Sequence, residues 1–449
     1  MSKERFKTPF SCQNAITLYC TKSEYSVILH FVFGRRKFLK LLAGIMGLPL
    51  LQNSLYSAVS SKHKIMIGAE VLQDLDFKPI KGKRVGLLTH PAAMTSNRLT
   101  TTRMLYKAKG VELKALFGAE HGFDGRASAG EEVKDSIDLE TGLPVYSLYG
   151  PGPIRKPTRA MLKDLDMLIY DIQDTGCRSY TFVSSLGLAL EACAESGVEF
   201  VVLDRPNPLG GVRIEGPRLN PKYKSFVSQW NIPYVHGMTS GEMARMINGE
   251  GWTSQRGIVT VVKMRYWKRQ YTWADIDREW IPTSPNIPKS TSPLHYVSTG
   301  LAGEIGGLNI GIRTTRPFET IAAPWIDSEK LTRQLNSYKL TGVKFHPISY
   351  TLNKKHYYGS RVEFTKPDEA PLMPINFYAL DAIKKVHQRD LYFEALKQGK
   401  KWDMFDKLCG GPEIRQKLAQ NATAYNIISS WKEDQNNFRI ERNPYLLYN

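Results

Sequence analysis

The sequence predicts an α/β fold in which a doubly wound parallel sheet is followed by a smaller, mixed α/β domain. Two observations support this prediction: short segments alternate with helical patterns from residue 84 onward, and these segments are largely apolar along their length. Such strands are typical of a parallel sheet, because helices cover both of its faces. The five predicted strands are Arg84 to Thr89, Leu113 to Phe117, Pro144 to Leu148, Met167 to Tyr170 and Phe200 to Leu203.

Helical patterns occupy the segments between these strands. Thr158 has the side chain of a helix N-cap, and Gly110 and Gly197 are suited to C-terminal caps because glycine adopts a left-handed conformation without strain. Alternating strands and helices predict right-handed crossovers, with ligands bound beyond the carboxyl ends of the strands. The predicted helices run from Ser96 to Lys109, from Pro157 to Leu165 and from Tyr180 to Ser196.

The pattern changes after residue 205, where prolines and glycines become frequent up to residue 235. A helix is then predicted from Met238 to Gly249, capped by Thr239 or Ser240. Beyond it we expect a second α/β domain, with the ligand cleft at the junction of the two domains. The predicted division is a leader over residues 1–62, a catalytic domain over 63–237 and a C-terminal α/β domain over 238–449. Predicted elements of the last domain include Val259 to Met264, Asp327 to Tyr338, Val343 to Ile348 and Ile375 to His387.

Composition indicates a globular chain with a basic surface. The 449 residues are 42% hydrophobic and 23% charged, which excludes a disordered or low-complexity protein. Lys and Arg number 61 against 43 acidic residues, and the excess persists when residues 1–62 are left out. A basic chain attracts anionic partners such as acidic lipid or an anionic cell-wall polymer. Nucleic acid is not an expected partner, because the sequence has none of the motifs of a nucleic-acid reader.

The leader resembles a twin-arginine export signal. Residues 34–40 read Gly-Arg-Arg-Lys-Phe-Leu-Lys, and an apolar segment from Leu41 to Leu51 precedes a small-x-small site at residues 58–60. Eleven apolar residues are too few to span a bilayer of about 30 Å but suit a signal peptide. We therefore expect export to the periplasm or the cell exterior, without stable membrane insertion after processing. An uncleaved signal anchor is the alternative, and translation starting at Val32 would give the signal a short N-terminal region.

No cofactor is expected. Outside the leader the cysteines are Cys177, Cys193 and Cys409, an odd number without a Cys-x-x-Cys pair. The sequence also has no zinc-ligand spacing, no G-x-G-x-x-G motif and no Walker lysine, so neither a metal nor a dinucleotide is predicted.

The first candidate catalytic segment follows the predicted strand Leu113 to Phe117. Residues 117–125 read Phe-Gly-Ala-Glu-His-Gly-Phe-Asp-Gly, which places Glu120 and His121 at the ligand-binding edge of the sheet. Glycines allow a sharp turn there, and Phe117 and Phe123 would provide an apolar wall that favours the protonated carboxyl of a general acid. A glycine-rich turn whose glutamate caps a helix is the structural alternative.

Two further segments leave strands at the same edge and carry polar side chains. Residues 170–180 contribute Asp171, Asp174, Arg178 and Tyr180, although Asp174 is also suited to capping the next helix. Residues 203–217 contribute Arg205, Asn207 and Glu215 in a segment made rigid by proline and glycine. From the second half of the chain, His236, Asn286 and Arg316 could complete the pocket. Such a set favours a polyhydroxylated, anionic ligand such as a sugar acid.

Several of these segments together resemble the exo-β-N-acetylmuramidase family of the NamZ type. The likeness extends from Ile65 to Tyr448 and implies a Rossmann-like domain with a smaller α/β domain. It also implies an exo-acting glycoside hydrolase that releases terminal N-acetylmuramic acid from the non-reducing end of peptidoglycan fragments, with the glutamate of Glu-His-Gly as the catalyst. The segments are 117–123 (Phe-Gly-Ala-Glu-His-Gly-Phe), 171–174 (Asp-Ile-Gln-Asp), 204–208 (Asp-Arg-Pro-Asn-Pro), 236–239 (His-Gly-Met-Thr) and 314–318 (Thr-Thr-Arg-Pro-Phe).

Two departures from the family pattern stand out. Where relatives tend to read Thr-Asn-Pro after the first strand, this chain has His90, and an acid that many carry before the Thr-Thr-Arg segment is missing. Only Glu304 lies near that position in the sequence, so we expect the glycan preference or the rate to differ.

The expected catalyst is Glu120 as the acid at the leaving oxygen. Asp171 or Glu215 would act as base or nucleophile, unless the N-acetyl group of the substrate attacks in their place. Arg178, Arg205 and Arg316 are the candidates for bidentate binding of the lactyl carboxylate of muramic acid. A periplasmic muropeptide-binding protein without catalysis is the alternative function.

Overall fold

The computed structural model describes residues 62–150 and 155–449, and a mostly parallel sheet of seven strands lies at the centre of its first half. The strand order is β3-β4-β2-β1-β5-β6-β7, and among the described strands of this sheet only β3 is antiparallel to its neighbour. All five strands predicted from the sequence are confirmed to within one residue at each end. The strands are β1 Arg84–Thr89, β2 Glu112–Gly118, β3 Ser136–Ile137, β4 Pro144–Ser147, β5 Met167–Asp171, β6 Glu199–Leu203 and β7 Val259–Val262.

Helices cover both faces of this sheet, as its apolar strands require. Helices α4 and α5 pack on one face over a core that includes Phe117 and Phe200, and α1 and α2 contribute to a second core on the other face. Thr158 caps α3 by accepting the N–H of Met161, and Gly197 ends α4 in the left-handed conformation, both as predicted. The helices are α1 Gly68–Asp74, α2 Thr101–Tyr106, α3 Arg159–Leu162, α4 Phe182–Ser196 and α5 Ser240–Gly249.

One predicted helix is much shorter in the structure. The segment Ser96 to Lys109 is helical only over α2, since the hydroxyl of Thr95 donates to the carbonyl oxygen of Leu99 and accepts its N–H at 3.1 Å. Side-chain bonds of this kind compete with helical backbone bonds and favour a turn. Gly110 therefore lies in a later turn with φ 78° and does not cap the helix.

The second half is a three-stranded antiparallel sheet surrounded by helices, in the order β8-β10-β9. Its strands are β8 Thr320–Ala323, β9 Val343–Leu352 and β10 Lys355–Phe364. Its helices are α6 Ser292–Ile305, α7 Ser328–Ser337, α8 Pro374–His387, α9 Leu391–Lys397, α10 Asp403–Cys409, α11 Glu413–Ala419, α12 Ala424–Ser429 and α13 Lys432–Glu441.

The large sheet extends past residue 237, where we predicted the first domain to end. Strand β7 pairs in parallel with β6, and Asp204 at the end of β6 accepts the N–H of Gly241 in α5. Both elements therefore belong with the first half. The predicted twin-arginine leader lies outside the described residues. Over the two described ranges, no helix has the length and apolar character that crossing a bilayer requires.

Candidate active site

Glu120 lies two residues beyond the end of β2, at the carboxyl edge of the large sheet. The chain turns there through two consecutive left-handed residues, His121 with φ 73° and Gly122 with φ 78°. A left-handed backbone is uncommon for a residue with a side chain and is often found at functional sites. The turn fixes Glu120 in a position that is only 7% exposed.

Two hydrogen-bond donors contact the Glu120 carboxyl. The N–H of Gly130 donates to Oε1 at 2.9 Å, and the hydroxyl of Thr181 donates to Oε2. Tyr149 lies beside the same carboxyl, whose charge acts on its phenol. The carboxyl is thus surrounded by polar partners, and the apolar wall predicted from Phe117 and Phe123 is wrong. Phe117 packs 5.5 Å from Tyr146 in the sheet core, and Phe123 lines a neighbouring cavity.

Tyr149 connects Glu120 to an arginine and a second aromatic ring. The guanidinium carbon of Arg155 is 4.3 Å from the centroid of the Tyr149 ring, and the Phe226 ring lies 5.7 Å from the same ring. Burial and the Glu120 carboxylate raise the pKa of Tyr149, and Arg155 opposes that rise. The phenol therefore remains a proton donor at neutral pH.

Two histidines lie beside the Glu120 turn. His121 is buried, with Nδ1 2.9 Å from the carbonyl oxygen of Ala127. His90, the residue that departs from the family pattern, accepts the N–H of Ala92 at 3.2 Å. Burial and the neighbouring His121 lower the pKa of His90 to about 3, so His90 is neutral at physiological pH. Both histidines belong to the packing of the turn.

A cavity of about 640 Å³ opens next to the same turn, at the ends of β1, β2 and β4. Its floor and walls combine apolar and charged side chains, including those of His90, Phe123, Lys134, Asp138 and Leu139. A cavity of this size at the carboxyl edge of a parallel sheet agrees with the general rule for ligand binding in such folds.

Asp171 and Arg205 do not face a ligand, contrary to prediction. Asp171 is fully buried, and its two carboxylate oxygens accept hydrogen bonds from Arg205 and from the hydroxyl of Thr101. The guanidinium of Arg205 is buried with it. The two residues form an internal ion pair. The structure therefore does not support Asp171 as a base or nucleophile, and it does not support Arg205 as a residue that binds the substrate carboxylate.

The side chains of Arg178 and Asn207 are also buried and form hydrogen bonds with backbone groups. Arg178 donates to the carbonyl oxygens of Pro217, Ile232 and Leu408 at 2.6 to 3.0 Å. Asn207 donates to the carbonyl oxygen of Met238 and accepts the N–H of Leu209. Both side chains hold loops together, and the predicted role of Arg178 in reading a carboxylate is not supported.

Glu215 and His236 likewise have structural partners. Glu215 accepts the N–H groups of Leu372 and Met373 at the start of α8 and pairs with Arg213 at 2.9 Å. His236 is buried and accepts the N–H of Met238, and burial with nearby arginines lowers the pKa of His236 to about 3. The structure therefore does not support Glu215 as base or nucleophile.

Asp174 and Tyr180 lie close to one another near Glu120. Asp174 accepts the N–H of Gly176 at 2.6 Å and does not cap α4, and its buried Oδ2 has no hydrogen-bond partner among the described residues. Burial raises the pKa of Asp174 to about 7. The hydroxyl of Tyr180 donates to Thr283 at 2.9 Å, and burial raises the pKa of Tyr180.

The second half contributes a cavity of about 410 Å³ beside Tyr296. The Tyr296 ring lies 5.9 Å from Tyr180, so the cavity adjoins the Glu120 region. Asn286, which we predicted to complete the pocket, lines this cavity together with Glu304 and Asn309. Arg316 is 48% exposed with Glu319 3.9 Å away, and it does not line the cavity.

Sequence reasoning missed Tyr149, Arg155, Phe226 and Thr181. Tyr149 follows β4 as Glu120 follows β2, so the rule that found Glu120 could have found it. Thr181, Arg155 and Phe226 follow no strand directly, and we find no local signal that marks them. Within residues 62–150 and 155–449, no three metal-ligating side chains cluster closely enough to hold a metal ion.

Comparisons with known proteins agree with this architecture. The sequence matches the family model for exo-β-N-acetylmuramidase NamZ, with its N-terminal part over residues 85–291 and its C-terminal part over residues 294–448. It is 43% identical over 399 residues to the peptidoglycan β-N-acetylmuramidase NamZ of Bacillus subtilis strain 168, covering 87% of this chain and 92% of that protein.

Two crystal structures of DUF1343 family proteins from Bacteroides fragilis NCTC 9343 are also similar. One has a TM-score of 0.80 at 41% identity, and the other has a TM-score of 0.66 at 29% identity. Each alignment covers 86% of this chain and 99% of the other.

Proposed function

This chain belongs to the exo-β-N-acetylmuramidase NamZ family of glycosidases, and we propose that it releases terminal N-acetylmuramic acid from peptidoglycan fragments with Glu120 as the catalytic acid. The observation that carries the assignment of Glu120 is its position at the carboxyl edge of the sheet, in a turn whose Gly118 and Phe123 line a cavity and with a hydroxyl bonded to Oε2. The family consists of enzymes, so it does not support the alternative of a muropeptide-binding protein without catalysis.

The partners of Glu120 suit a carboxyl that gains and loses a proton in each cycle. The backbone N–H of Gly130 can only donate, so Oε1 must remain an acceptor. The hydroxyl of Thr181 can either donate or accept, so it remains bonded to Oε2 in both protonation states. The exchangeable proton therefore belongs on Oε2, which would protonate the leaving oxygen of the glycosidic bond.

Replacing Glu120 by Gln tests this role. Glu120→Gln retains the shape and the hydrogen bonds but cannot donate a proton, so we expect a loss of about 10² to 10⁴ in rate on a disaccharide substrate. An activated phenolic glycoside needs little protonation and should lose much less. Glu112→Gln is the matched control, because Glu112 is an exposed residue at the other end of β2 that pairs with Lys114.

Other outcomes would change the assignment. Equal losses on both substrates would make Glu120 a nucleophile or a positioning group, and an unchanged rate on the disaccharide would remove it from the mechanism. Loss of the folded state, measured by circular dichroism, would separate misfolding from a catalytic defect.

The second catalytic group is either Asp174 or the substrate itself. With Asp171 and Glu215 occupied by structural partners, Asp174 is the remaining predicted carboxyl, and its Oδ2 is buried without a partner among the described residues. The alternative is attack by the N-acetyl group of the substrate. A substrate with a trifluoroacetyl group separates the two, since it slows only a reaction in which the acetamido oxygen is the nucleophile.

Action on peptidoglycan agrees with a location outside the cytoplasm, and we propose export through the twin-arginine signal at residues 34–40. Replacing Arg35 and Arg36 by Lys should retain the protein in the cytoplasm as unprocessed precursor. N-terminal sequencing of the exported form would identify the cleavage site.

A further inference from the structure

The cavity of about 410 Å³ beside Tyr296 has largely apolar walls. The described residues that line it include no arginine, lysine or histidine. The acid in the lining is Glu304, and Lys400 pairs with it at 3.2 Å. An anionic group such as the lactyl carboxylate would find no counter-charge in this lining, so the cavity is suited to a neutral group of a ligand. The apolar lining residues are Leu301, Leu308, Ile310, Ile312, Phe318 and Leu408.

One side-chain amide in this lining is available to a ligand. Asn286 is half-buried, and its side chain forms no hydrogen bond with any residue in the ranges 62–150 and 155–449. Asn309, by contrast, accepts the hydroxyl of Tyr350 at 2.7 Å and the N–H of Gly311 at 2.8 Å through its Oδ1. A carboxamide contains both a donor and an acceptor, so Asn286 can donate to a carbonyl oxygen of a ligand or accept an N–H from it.

Two sets of contacts connect this cavity with Glu120. The hydroxyl of Tyr180 donates at 2.9 Å to Thr283, three residues before Asn286, and Tyr180 directly precedes the threonine whose hydroxyl is bonded to Glu120. Burial raises the pKa of Tyr296, and the Glu120 carboxylate adds to that rise. The carboxylate therefore lies within electrostatic range of a residue in the cavity wall.

An acetamido group has the chemistry that this cavity requires. It is neutral, it has one hydrogen-bond donor and one acceptor, and its methyl group is stabilised by burial against apolar side chains. N-acetylmuramic acid carries this group on C2, next to the anomeric carbon at which the glycosidic bond is cleaved. We propose that the cavity beside Tyr296 binds the 2-acetamido group of the terminal sugar, with Asn286 hydrogen-bonded to its amide. The proposal rests on the proposed function, since it names the part of the substrate that this cavity recognises.

Gly300 on α6 offers a way to fill the cavity without disturbing its walls. It lines the cavity, and no atom from outside its own turn of the helix lies within 4 Å of a Cβ atom added there. Gly303 is unsuitable for this purpose, because its added Cβ would lie 2.6 Å from Ile310. A side chain at position 300 would therefore enter the cavity, and most residues are better helix formers than glycine.

The first test varies the acyl group of the substrate. Wild type and Gly300→Leu are compared on two phenolic glycosides of muramic acid, one with an N-acetyl and one with an N-butanoyl group. The cavity has room for the longer chain, so wild-type kcat/KM values for the two should agree within about tenfold. Gly300→Leu should lower kcat/KM on the butanoyl glycoside about 10- to 100-fold more than on the acetyl glycoside, and Gly300→Ala should lie between Gly300→Leu and wild type.

Two results of this test would overturn the proposal. In the first, Gly300→Leu changes kcat/KM equally on both glycosides, which would mean that the acyl group binds elsewhere. In the second, wild type rejects the butanoyl glycoside, which would mean that the acyl group lies in a tighter site than this cavity.

A binding measurement tests Asn286 and keeps this inference separate from the proposed function. In Asn286→Ala, the dissociation constant of free N-acetylmuramic acid, measured by calorimetry, should rise about 5- to 50-fold, because the amide of the sugar loses its buried partner. The dissociation constant of the analogue with a hydroxyl in place of the acetamido group should change by less than about twofold. Asn437→Ala is the matched control, because it removes an exposed amide of α13 that lines neither cavity. It should change neither constant.

The two measurements separate the possible failures. If wild type hydrolysed no muramic acid glycoside, the proposed function would fail while the two dissociation constants still decided the role of Asn286. An equal rise of both constants in Asn286→Ala, or no change in either, would refute that role. If Asn286→Ala did not fold, as judged by circular dichroism, the Gly300 variants would decide the proposal alone.

Discussion

Polar side chains follow β2 and β4 as well as β5 and β6, but the two sets of loops give these side chains different hydrogen-bond partners. After β2 and β4, Glu120 accepts a hydrogen bond from the hydroxyl of Thr181 and lies beside the half-buried phenol of Tyr149. After β5 and β6, Asp171 and Arg205 neutralise each other in the interior. Polar side chains at strand ends therefore mark a binding edge, while the partners they find decide which of them are available to a ligand.

The largest difference between the two regions should appear in stability. Asp171→Asn leaves the buried Arg205 without its counter-charge, so we expect the free energy of unfolding to fall by about 3 to 5 kcal/mol. Glu120→Gln retains its hydrogen bonds and should change stability by less than about 1 kcal/mol. Urea unfolding followed by circular dichroism measures both.

Asp166→Asn is the control for the loss of an ion pair as such. Asp166 pairs with Arg84 at 2.8 Å on the surface, where solvent screens the interaction, so this variant should be much less destabilised than Asp171→Asn. If Asp171→Asn were as stable as wild type, the ion pair would not be the structural element we describe.

The pH dependence of stability distinguishes Asp174 from its neighbours. Burial raises the pKa of Asp174 to about 7 from an ordinary value near 4, so between these values the folded state binds more protons than the unfolded state. Stability should therefore fall as pH rises from 4 to 7, by at most about 4 kcal/mol from this group. The side chain in Asp174→Asn cannot ionise, so the stability of this variant should fall less steeply between pH 4 and pH 7.

Melting temperatures of wild type and Asp174→Asn at pH 5 and pH 8 check this expectation. At pH 8 the wild-type carboxylate is ionised in a buried site. The melting temperature of the variant, relative to that of wild type, should therefore be higher at pH 8 than at pH 5. A difference between the two proteins that stayed constant over this range would show that Asp174 does not titrate there.

Glu215 should have a smaller structural effect. Its carboxylate accepts two N–H groups at the start of α8, the role of a helix cap, although it lies far away in the sequence. Glu215→Gln weakens these bonds and the pair with Arg213, so we expect a loss of about 1 to 2 kcal/mol in stability. Glycosidase activity at low temperature should be unchanged, whereas a base or nucleophile would lose it.

The contrast between these regions also explains what the sequence could predict. Apolar strand patterns depend on burial alone, so the five strands of the large sheet could be located from local sequence. The partners of polar side chains come from distant segments: Arg178 bonds to Leu408, and Glu215 bonds to Leu372 and Met373. No local pattern contains such contacts. Hence the sequence was sufficient to predict the edge of the sheet that carries the candidate site. It was not sufficient to show that several of the predicted ligand-binding residues form hydrogen bonds in the interior instead.

The smallest expected effect is that of a chelator, which should leave turnover unchanged. The acids that could have ligated a metal after β5 and β6 are occupied: Asp171 by a guanidinium and Asp204 by the hydroxyls of Thr239 and Tyr448. Over the described ranges no cluster of three ligating side chains remains, and residues 151–154 are Pro-Gly-Pro-Ile, which have no such side chains. Activity measured with and without EDTA should agree within error, and added zinc or magnesium should not raise it. If EDTA abolished activity and zinc or magnesium restored it, carboxylates that we assign to internal hydrogen bonds would have to rearrange to bind an ion. That result would contradict the difference that we describe between the two regions.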